Sequence, residues 1–433
     1  MEQTKSNGSG ITWVGLLFMI YITAWKSYTG DSVQMLLYGG YALVCVVTLL
    51  AILFYQKGTG IIMSKYMNRI FLFALFCVSS ILWATDMELA IDTSIFIVVC
   101  IAMTILLSNY YIRLGNVNML FLTIVVIGIV LSVKVIANEG GLGAFFDSAT
   151  RSAEQELKYG ERVGGELFNA NIIGLSCAYS TIVLFGYALY YKKRYCYVLM
   201  FFLIVILIAS ASRKAILLLV VGACMTIYYH QKEQKNIQKY FKILIGVVLA
   251  IVLLRVVLSL KIMYTISQRI ESFFDFFSGN TSAGNHSSTG LRYEMIRIGI
   301  KQFLYRPFLG IGVGNSQVLN AIKLNFRTYS HNDYIEHLVN GGIVGFVLYY
   351  SMFWMMIKDY IKLLKEDKDP QIVISFIIMI MLLVSNIACV TYYIDMGTYI
   401  FFILWFSQLE IKKRQKQPEM VIDEYEYSGR RHE

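Results

Sequence analysis

The chain contains the stretch NMLFLTIVVIGIVLSVKVIA at residues 118–137, in which Lys134 is the one charged side chain. The hydrocarbon core of a bilayer is about 30 Å thick, and an α-helix crosses it with about 20 apolar residues. This stretch therefore predicts a membrane-spanning helix. Apolar runs of similar character recur along the chain, at residues 11–28, 33–54, 70–84, 89–107, 171–191, 197–211, 215–229, 241–260, 342–357, 372–390 and 398–410.

Together these runs predict an all-α polytopic membrane protein with about twelve spanning helices. The composition agrees: of 433 residues, 57% are hydrophobic and 15% are charged, whereas a soluble domain has about 25% charged residues. An aromatic content of 15% also excludes a disordered chain. The 7 cysteines are too few for a disulfide scaffold.

Lysine and arginine occur in alternate loops, which predicts the orientation by the positive-inside rule. Short loops at 30–32, 85–88 and 394–396 contain neither residue, whereas the loops between them are basic. We expect both termini in the cytoplasm, with a polytopic domain at 1–410 and a disordered cytoplasmic tail at 411–433. The lysines and arginines that set the membrane orientation then account for much of the net charge of +10. No motif predicts a nucleic-acid partner.

Two long polar segments, 138–170 and 261–341, fall on the predicted outer side. Long loops are usually functional or disordered, and these two hold most of the outward Arg and His residues, so we expect the chemistry there. Within the second loop, apolar residues recur at helical spacing after Gly290, which predicts a basic amphipathic helix on the outer leaflet that stops at Pro307. Its apolar positions are Ile296, Ile300, Phe303 and Leu304.

Two candidate sites lie where the outer loops meet the spans. Arg162 opens the segment RVGGELFNAN, whose glycines allow a tight backbone; the alternative is a helix N-cap with a snorkelling arginine. Arg213 and Lys214 end the segment SASRK at the outer mouth between two spans. They point about 100° apart on a helix, so at most one faces a pocket well, and ordinary snorkelling is again the alternative.

The segment SHNDYIEH at residues 330–337 contains the histidine best placed for acid–base chemistry. His331 can take a proton from a hydroxyl at neutral pH, although a lone interfacial histidine is more often simply exposed. Asp333 and His337 are four residues apart and can share a helix face as metal ligands, but two ligands are a weak signal. The glycines at 310, 312 and 314 lack the lysine and the preceding strand of a nucleotide-binding loop.

The order and spacing of these segments resemble the O-antigen ligase and polysaccharide polymerase family of bacterial membranes, mainly over residues 160–346. The residues that carry the resemblance are R-x-G-G-x-x-F-N-x-N at 162–171, S-x-S-R at 210–213, G-x-R at 290–292, P-F-L-G-I-G at 307–312, H-N-D-Y at 331–334 and the glycine-rich start of the following span at 341–345. Family members often have proline where this chain has Ala170, and an acid where it has Asn340.

The resemblance implies a multi-pass enzyme of the bacterial cytoplasmic membrane that takes a glycan from undecaprenyl diphosphate and transfers it to a hydroxyl of an acceptor glycan on the outer face. It implies His331 as the catalytic proton acceptor, and Arg213, Arg292 and, more weakly, Arg162 as diphosphate ligands. Membrane lipids and other polysaccharide assembly proteins are further expected partners. The outward region has no dense carboxylate cluster, so we expect no metal and no cofactor.

Three other functions remain open at this point. A ligase moves finished polymer to a lipid A core, and the motifs do not separate it from a polymerase. The abundance of Ile, Lys, Asn and Tyr indicates an AT-rich genome of the Gram-positive kind. Because a Gram-positive organism has no lipid A to act as acceptor, this favours the polymerase. A flippase or other transporter carries charged sites near the midplane and repeated halves, which this sequence does not show. A non-catalytic scaffold protein would lack transfer activity.

Overall fold

The computed structural model describes residues 13–27, 31–55, 61, 63–114, 118–147, 170–210, 212–231, 288–366 and 369–392. Over these ranges the chain forms helices and turns and contains no strand, which confirms the predicted all-α class. Among the described helices, 6 are long and apolar enough to cross a membrane, and three apolar helices are shorter.

The helices follow the apolar runs closely. Two predicted spans, 241–260 and 398–410, lie outside the described residues, and each of the others coincides with a helix. The total of about twelve spans and the cytoplasmic termini stay predictions. The described helices are α1 Trp13–Ser27, α2 Asp31–Leu50, α3 Lys65–Ser79, α4 Met87–Leu114, α5 Asn118–Asn138, α6 142–147, α7 Ala170–Tyr190, α8 Tyr195–Ala209, α9 Arg213–Gln231, α10 Ser288–Tyr305, α11 Ser316–Leu324, α12 Asp333–Glu366 and α13 Pro370–Ser385.

The bundle has two packed groups. Helix α7 is the centre of one, where it contacts α5, α8, α9 and α13, and α3 packs against α4 and α12 in the other. Small residues allow close approach: a side chain at Gly128 of α5 would collide with Ser180 of α7, whose hydroxyl donates to the Ile124 carbonyl at 2.7 Å. Such contacts drive helix association in membranes, where burial of apolar surface contributes little.

The predicted span at 342–357 begins too late, because α12 starts at Asp333 and is broken at Gly342. The loop at residues 307–312 is inserted at the break, and its backbone groups replace the missing helical hydrogen bonds. These bonds join Ile311 N to Val339 O, Gly312 N to Asn340 O, Ile343 N to Pro307 O and Val344 N to Phe308 O, at 2.8 to 3.2 Å.

Glycine is required on both sides of this insertion. Gly342 has φ +59°, and a Cβ there would lie 2.4 Å from the Phe308 carbonyl. Gly310 has φ +66°, and its Cβ would lie 2.5 Å from the Val339 oxygen. The P-F-L-G-I-G segment is therefore a structural insert that closes a broken helix.

The predicted amphipathic helix is α10, and it ends at Tyr305, before Pro307. It is part of the bundle, since Gly299 packs closely against Ile335 of α12. The predicted apolar residues Ile300 and Leu304 are exposed, as are the basic residues Arg297 and Lys301.

Candidate functional site

His331 lies in a constrained loop immediately before α12. Its φ is +58°, a conformation that is uncommon outside glycine and that costs free energy unless the surroundings enforce it. The Tyr329 ring lies 4.3 Å from the imidazole, centre to centre. Strained backbone of this kind is concentrated at functional sites.

A buried carboxylate holds this loop in place. Glu336, on the first turn of α12, accepts a hydrogen bond from the Ser330 amide at 2.8 Å and another from the Ser316 hydroxyl. Both serines are themselves buried. The carboxylate therefore links the residue before His331 to α11, and the charge-assisted bonds offset the cost of its burial.

The next two residues fasten the site to the turn that follows α13, residues 386–392. Asn332 caps α12 by accepting from the Ile335 amide at 3.1 Å, and its Nδ2 donates to the Ile387 carbonyl at 3.0 Å. The Asp333 carboxylate accepts from the Thr391 amide and from the Tyr350 hydroxyl, each at 2.7 Å.

The candidate metal pair is enclosed by aromatic side chains. His337 Nε2 lies 3.4 Å from Asp333 Oδ2, and the imidazole is stacked between Tyr349 and Tyr392 at 4.2 and 3.9 Å. Both members are buried. Within the described ranges, no group of three or more His, Cys, Asp and Glu side chains is arranged to hold a metal ion.

Two cations act on His331. Burial is the largest effect on the imidazole, followed by the positive charges of Arg292 and Lys214, and together they lower the pKa of His331 to about 3. The ring is therefore neutral at neutral pH, which is the form that accepts a proton. Arg292 was predicted as a site residue, and its positive charge acts on the His331 imidazole.

Further contacts join the second motif to the first, and join its neighbour Lys214 to the 386–392 turn. The Ser212 hydroxyl donates to Asn171 Oδ1 at 3.1 Å, which joins the S-x-S-R motif to the last asparagine of the first motif. Lys214 Nζ donates to the Ala388 carbonyl at 2.7 Å, next to the Ile387 carbonyl that Asn332 contacts. The Arg213 side chain and the whole of Arg162 lie outside the described parts of the structure.

Sequence reasoning assigned no role to three components of this region, although it named Lys214 in the candidate site SASRK. Lys214 had a signal, because it adjoins Arg213, and the structure describes it beside the 386–392 turn. Glu336 stands within the predicted SHNDYIEH segment, but a glutamate on a helix is usually solvated. The 386–392 turn had no signal, since most of it was assigned to the apolar run at 372–390.

Comparison with known proteins finds one similar family. No curated protein matches the chain. The model of one family, described as O-antigen ligase, matches residues 198–350. The matched segment includes Arg213, Arg292 and His331 and leaves Arg162 outside. The apolar helices indicate a multi-pass membrane protein, and the match indicates a ligase-like or polymerase-like role in polysaccharide assembly. The resemblance seen in the sequence is thereby confirmed over residues 198–350, the segment that is similar to the O-antigen ligase family.

Proposed function

We propose that this protein is a surface polysaccharide polymerase that transfers glycan from undecaprenyl diphosphate to a sugar hydroxyl on the outer face of the membrane. The observation that carries the proposal is the position of His331, a neutral imidazole in a constrained loop within reach of the charges of Arg292 and Lys214. All three residues lie in the segment that matches the O-antigen ligase family.

In the proposed reaction, the acceptor hydroxyl oxygen attacks the anomeric carbon of the donor glycan. The bond from that carbon to the diphosphate oxygen breaks, and its electron pair leaves with the lipid diphosphate. His331 takes the proton of the attacking hydroxyl, so the product has the inverted anomeric configuration. The diphosphate is a leaving group already attached to the lipid, and no nucleotide sugar is needed outside the cell.

Cations on the diphosphate stabilise the charge that develops there. We assign this role to Arg292 and Arg213, with Arg162 as a weaker third ligand. Guanidinium groups hold two phosphate oxygens at once and stay charged throughout. Fixed donors aimed at developing charge contribute a few kcal/mol each, and metal-independent catalysis is expected.

Donor binding and base strength are coupled in this scheme. Burial lowers the pKa of His331 most, and Arg292 and Lys214 lower it further, which makes the imidazole a weak base. A diphosphate beside these cations offsets their charge and so raises the pKa of His331 by the part of the shift that the cations cause. The base is then strongest when the donor is bound.

The experiment is polymer formation by purified protein in lipid, with an undecaprenyl-diphosphate-linked repeat unit as substrate. His331→Ala and Arg292→Ala should each abolish polymer while the protein remains folded in the membrane. His230→Ala is the matched control, because His230 lies at the far end of α9, and it should leave polymer formation intact. Unchanged polymer in both site variants would remove the assignment.

Two further arms separate the alternatives. Activity that persists in EDTA supports metal independence, whereas activity lost to EDTA and restored by Mg²⁺ contradicts it. A product that stays on undecaprenyl diphosphate identifies a polymerase, and a product on a lipid A core identifies a ligase. Movement of the intact donor lipid across the membrane without glycan transfer would identify a transporter.

A further inference from the structure

The C-terminal end of α10 and the loop after it carry large apolar side chains that are exposed. The exposed fractions are 70% for Leu304, 78% for Tyr305, 71% for Phe308 and 45% for Leu309, and we call these four residues the apolar patch. An exposed apolar patch marks a surface that contacts another protein or a membrane. The position of the patch relative to the spans decides between these two.

Two backbone contacts attach the apolar patch to the ends of candidate spans. The Trp83 indole donates to the Leu309 carbonyl at 3.1 Å, and Trp83 is the last residue of the candidate span Lys65–Trp83. The Phe308 carbonyl accepts from the Val344 amide at 3.2 Å, where α12 resumes after its break. The patch therefore adjoins the same end of two spans.

The length of α12 places this end at a membrane boundary. At the opposite end of the same two spans, Lys65 Nζ lies 2.6 Å from Asp359 Oδ2. Asp359 follows Gly342 by 17 residues, which is about 25 Å of helix at about 1.5 Å per residue. The hydrocarbon core is about 30 Å thick. With the ion pair at one boundary, the break at Gly342 and the patch beside it lie near the other, where Trp and Tyr are enriched.

The lipid-facing surface of the two spans continues into the apolar patch. Apolar side chains that are exposed along a span face the acyl chains of the bilayer, and both spans present such residues up to the patch: Leu75, Val78 and Leu82 on one, and Val344 and Val347 on the other. Lys301 and Arg306 border the patch and are exposed. Long basic side chains at this level place their charge among the headgroups while their aliphatic part stays on apolar surface.

The C-terminal end of α10 is its end nearest the spans. Gly299 packs against Ile335 and Val339, which precede the break in α12, so α10 runs along the first half of α12 and away from the membrane boundary. Tyr293 is exposed and shares a face with Leu304, because 11 residues make three helical turns and about 20° more. It lies about 16 Å further along the helix.

We infer that the C-terminal end of α10 and the loop after it form a lipid anchor. The apolar patch enters the acyl boundary of the adjoining leaflet, which is the outer one in the predicted orientation, and Lys301 and Arg306 contact phospholipid phosphates. The contact is thus confined to one end of α10, whereas the sequence predicted a helix lying along the leaflet. Phe308 and Leu309 belong to the 307–312 insert, so the anchor also sets the level of that insert in the bilayer.

The test is photo-crosslinking in nanodiscs of phosphatidylethanolamine and phosphatidylglycerol. p-Benzoylphenylalanine replaces Phe308 in one variant and Tyr305 in a second, both at exposed aromatic positions, and mass spectrometry identifies the adducts. We expect phospholipid adducts in both. Tyr293 is the matched control position. Because an interfacial anchor is buried about 5–10 Å into the boundary, the probe at Tyr293 should give ~tenfold fewer lipid adducts.

The basic residues are tested in the variant with the probe at Phe308. Combining Lys301→Gln and Arg306→Gln should lower the share of phosphatidylglycerol among the adducts, because the charges that attract the anionic lipid are removed. An unchanged share contradicts the phosphate contacts.

The anchor itself is overturned by an absence of lipid adducts at both Tyr305 and Phe308, or by equal adducts at Tyr293 and Phe308. Adducts that join two copies of the chain through Phe308 also overturn it, because the patch is then a protein interface. Glycan transfer is not measured, so the anchor stands or fails independently of the proposed function.

Discussion

At the scale of single residues, the candidate site depends on buried groups that do not touch substrate. Glu336 ties the loop before His331 to α11 through Ser330 and Ser316, and Asn332 caps α12 one residue after the imidazole. These contacts hold His331 at a positive φ. Because a bond to a buried carboxylate is costly to lose, the loop should be sensitive to the polar chemistry at position 336.

The first prediction compares two substitutions of this glutamate. Glu336→Gln can still accept from the Ser330 amide while its NH₂ group faces the Ser316 hydroxyl, which can rotate to accept. We expect it to retain activity within a few-fold of the wild type. Glu336→Leu leaves both partners without an acceptor, and we expect it to lose about 1–3 kcal/mol of stability and most of its activity.

The measurements are polymer formation and thermal unfolding of the purified variants. Equal activity in Glu336→Leu and the wild type would show that the carboxylate does not position His331. A Glu336→Gln variant as damaged as Glu336→Leu would show that the negative charge, rather than the hydrogen bonds, is what the site requires.

At the scale of elements, the broken helix α12 connects the bundle to the site. The loop at 307–312 fills the break at Gly342 and lies between α10, which carries Arg292, and the first half of α12, which follows His331. An insertion of this kind fixes the distance between the two site elements. It depends on a backbone conformation that residues other than glycine rarely adopt.

The second prediction uses the adjacent glycines as a matched pair. Gly342→Ala places a Cβ 2.4 Å from the Phe308 carbonyl at a positive φ, so we expect a loss of several kcal/mol of stability, of the order seen for strained and overpacked positions. Gly341→Ala has ordinary φ and meets the Phe76 ring at 3.1 Å, and we expect a smaller loss.

Thermal unfolding of both variants in detergent checks this order. A Gly341→Ala variant that is less stable than Gly342→Ala would contradict the close packing of the Phe308 backbone against Gly342. Polymer formation should fall in parallel with folding for Gly342→Ala, since displacement of the 307–312 loop also displaces Arg292 relative to His331.

How far the sequence predicts these elements depends on the physical signal each leaves. Apolar length is a strong signal, and the runs at 118–137 and 171–191 coincide with α5 and α7. The start of α12 was predicted too late because HNDYIEH is polar, and burial of Asp333 and Glu336 depends on partners that are distant in the chain. The need for glycine at position 310 was missed for the same reason. The spacing of the sequence does not show that the Val339 backbone packs against Gly310.

At the scale of the whole molecule, contacts between residues at or beside the ends of the predicted spans fall into two sets, one on each predicted side. On the predicted outer side, Asn315 contacts Asp86, and Lys214 contacts Ala388. On the predicted inner side, Lys65 Nζ lies 2.6 Å from Asp359 Oδ2. The candidate site belongs to the outer set. Which set faces the cytoplasm is predicted by the lysine and arginine distribution alone.

The third prediction concerns this orientation. Cys389 is partly exposed and adjoins Lys214, so a membrane-impermeant maleimide should label it on intact cells, and Cys389→Ser should remove the label. A cysteine placed by Lys65→Cys in the Cys389→Ser background should react only after the membrane is permeabilised. The reverse pattern would invert the orientation and place the site in the cytoplasm.

The most direct test of the central claim, that cations from separate segments converge on His331, is the titration of its imidazole by NMR. Of the five histidines, His331 is identified by the signal that His331→Gln removes. We predict a wild-type pKa of about 3, far below the ordinary 6.5, so the ring stays neutral until strongly acidic pH. Arg292→Gln should raise the pKa towards 6.5, since it removes one positive charge. Because burial is the largest cause of the low pKa, the response to Arg292→Gln is the decisive result. A pKa of His331 that does not change in this variant would contradict the convergence and the proposed mechanism with it.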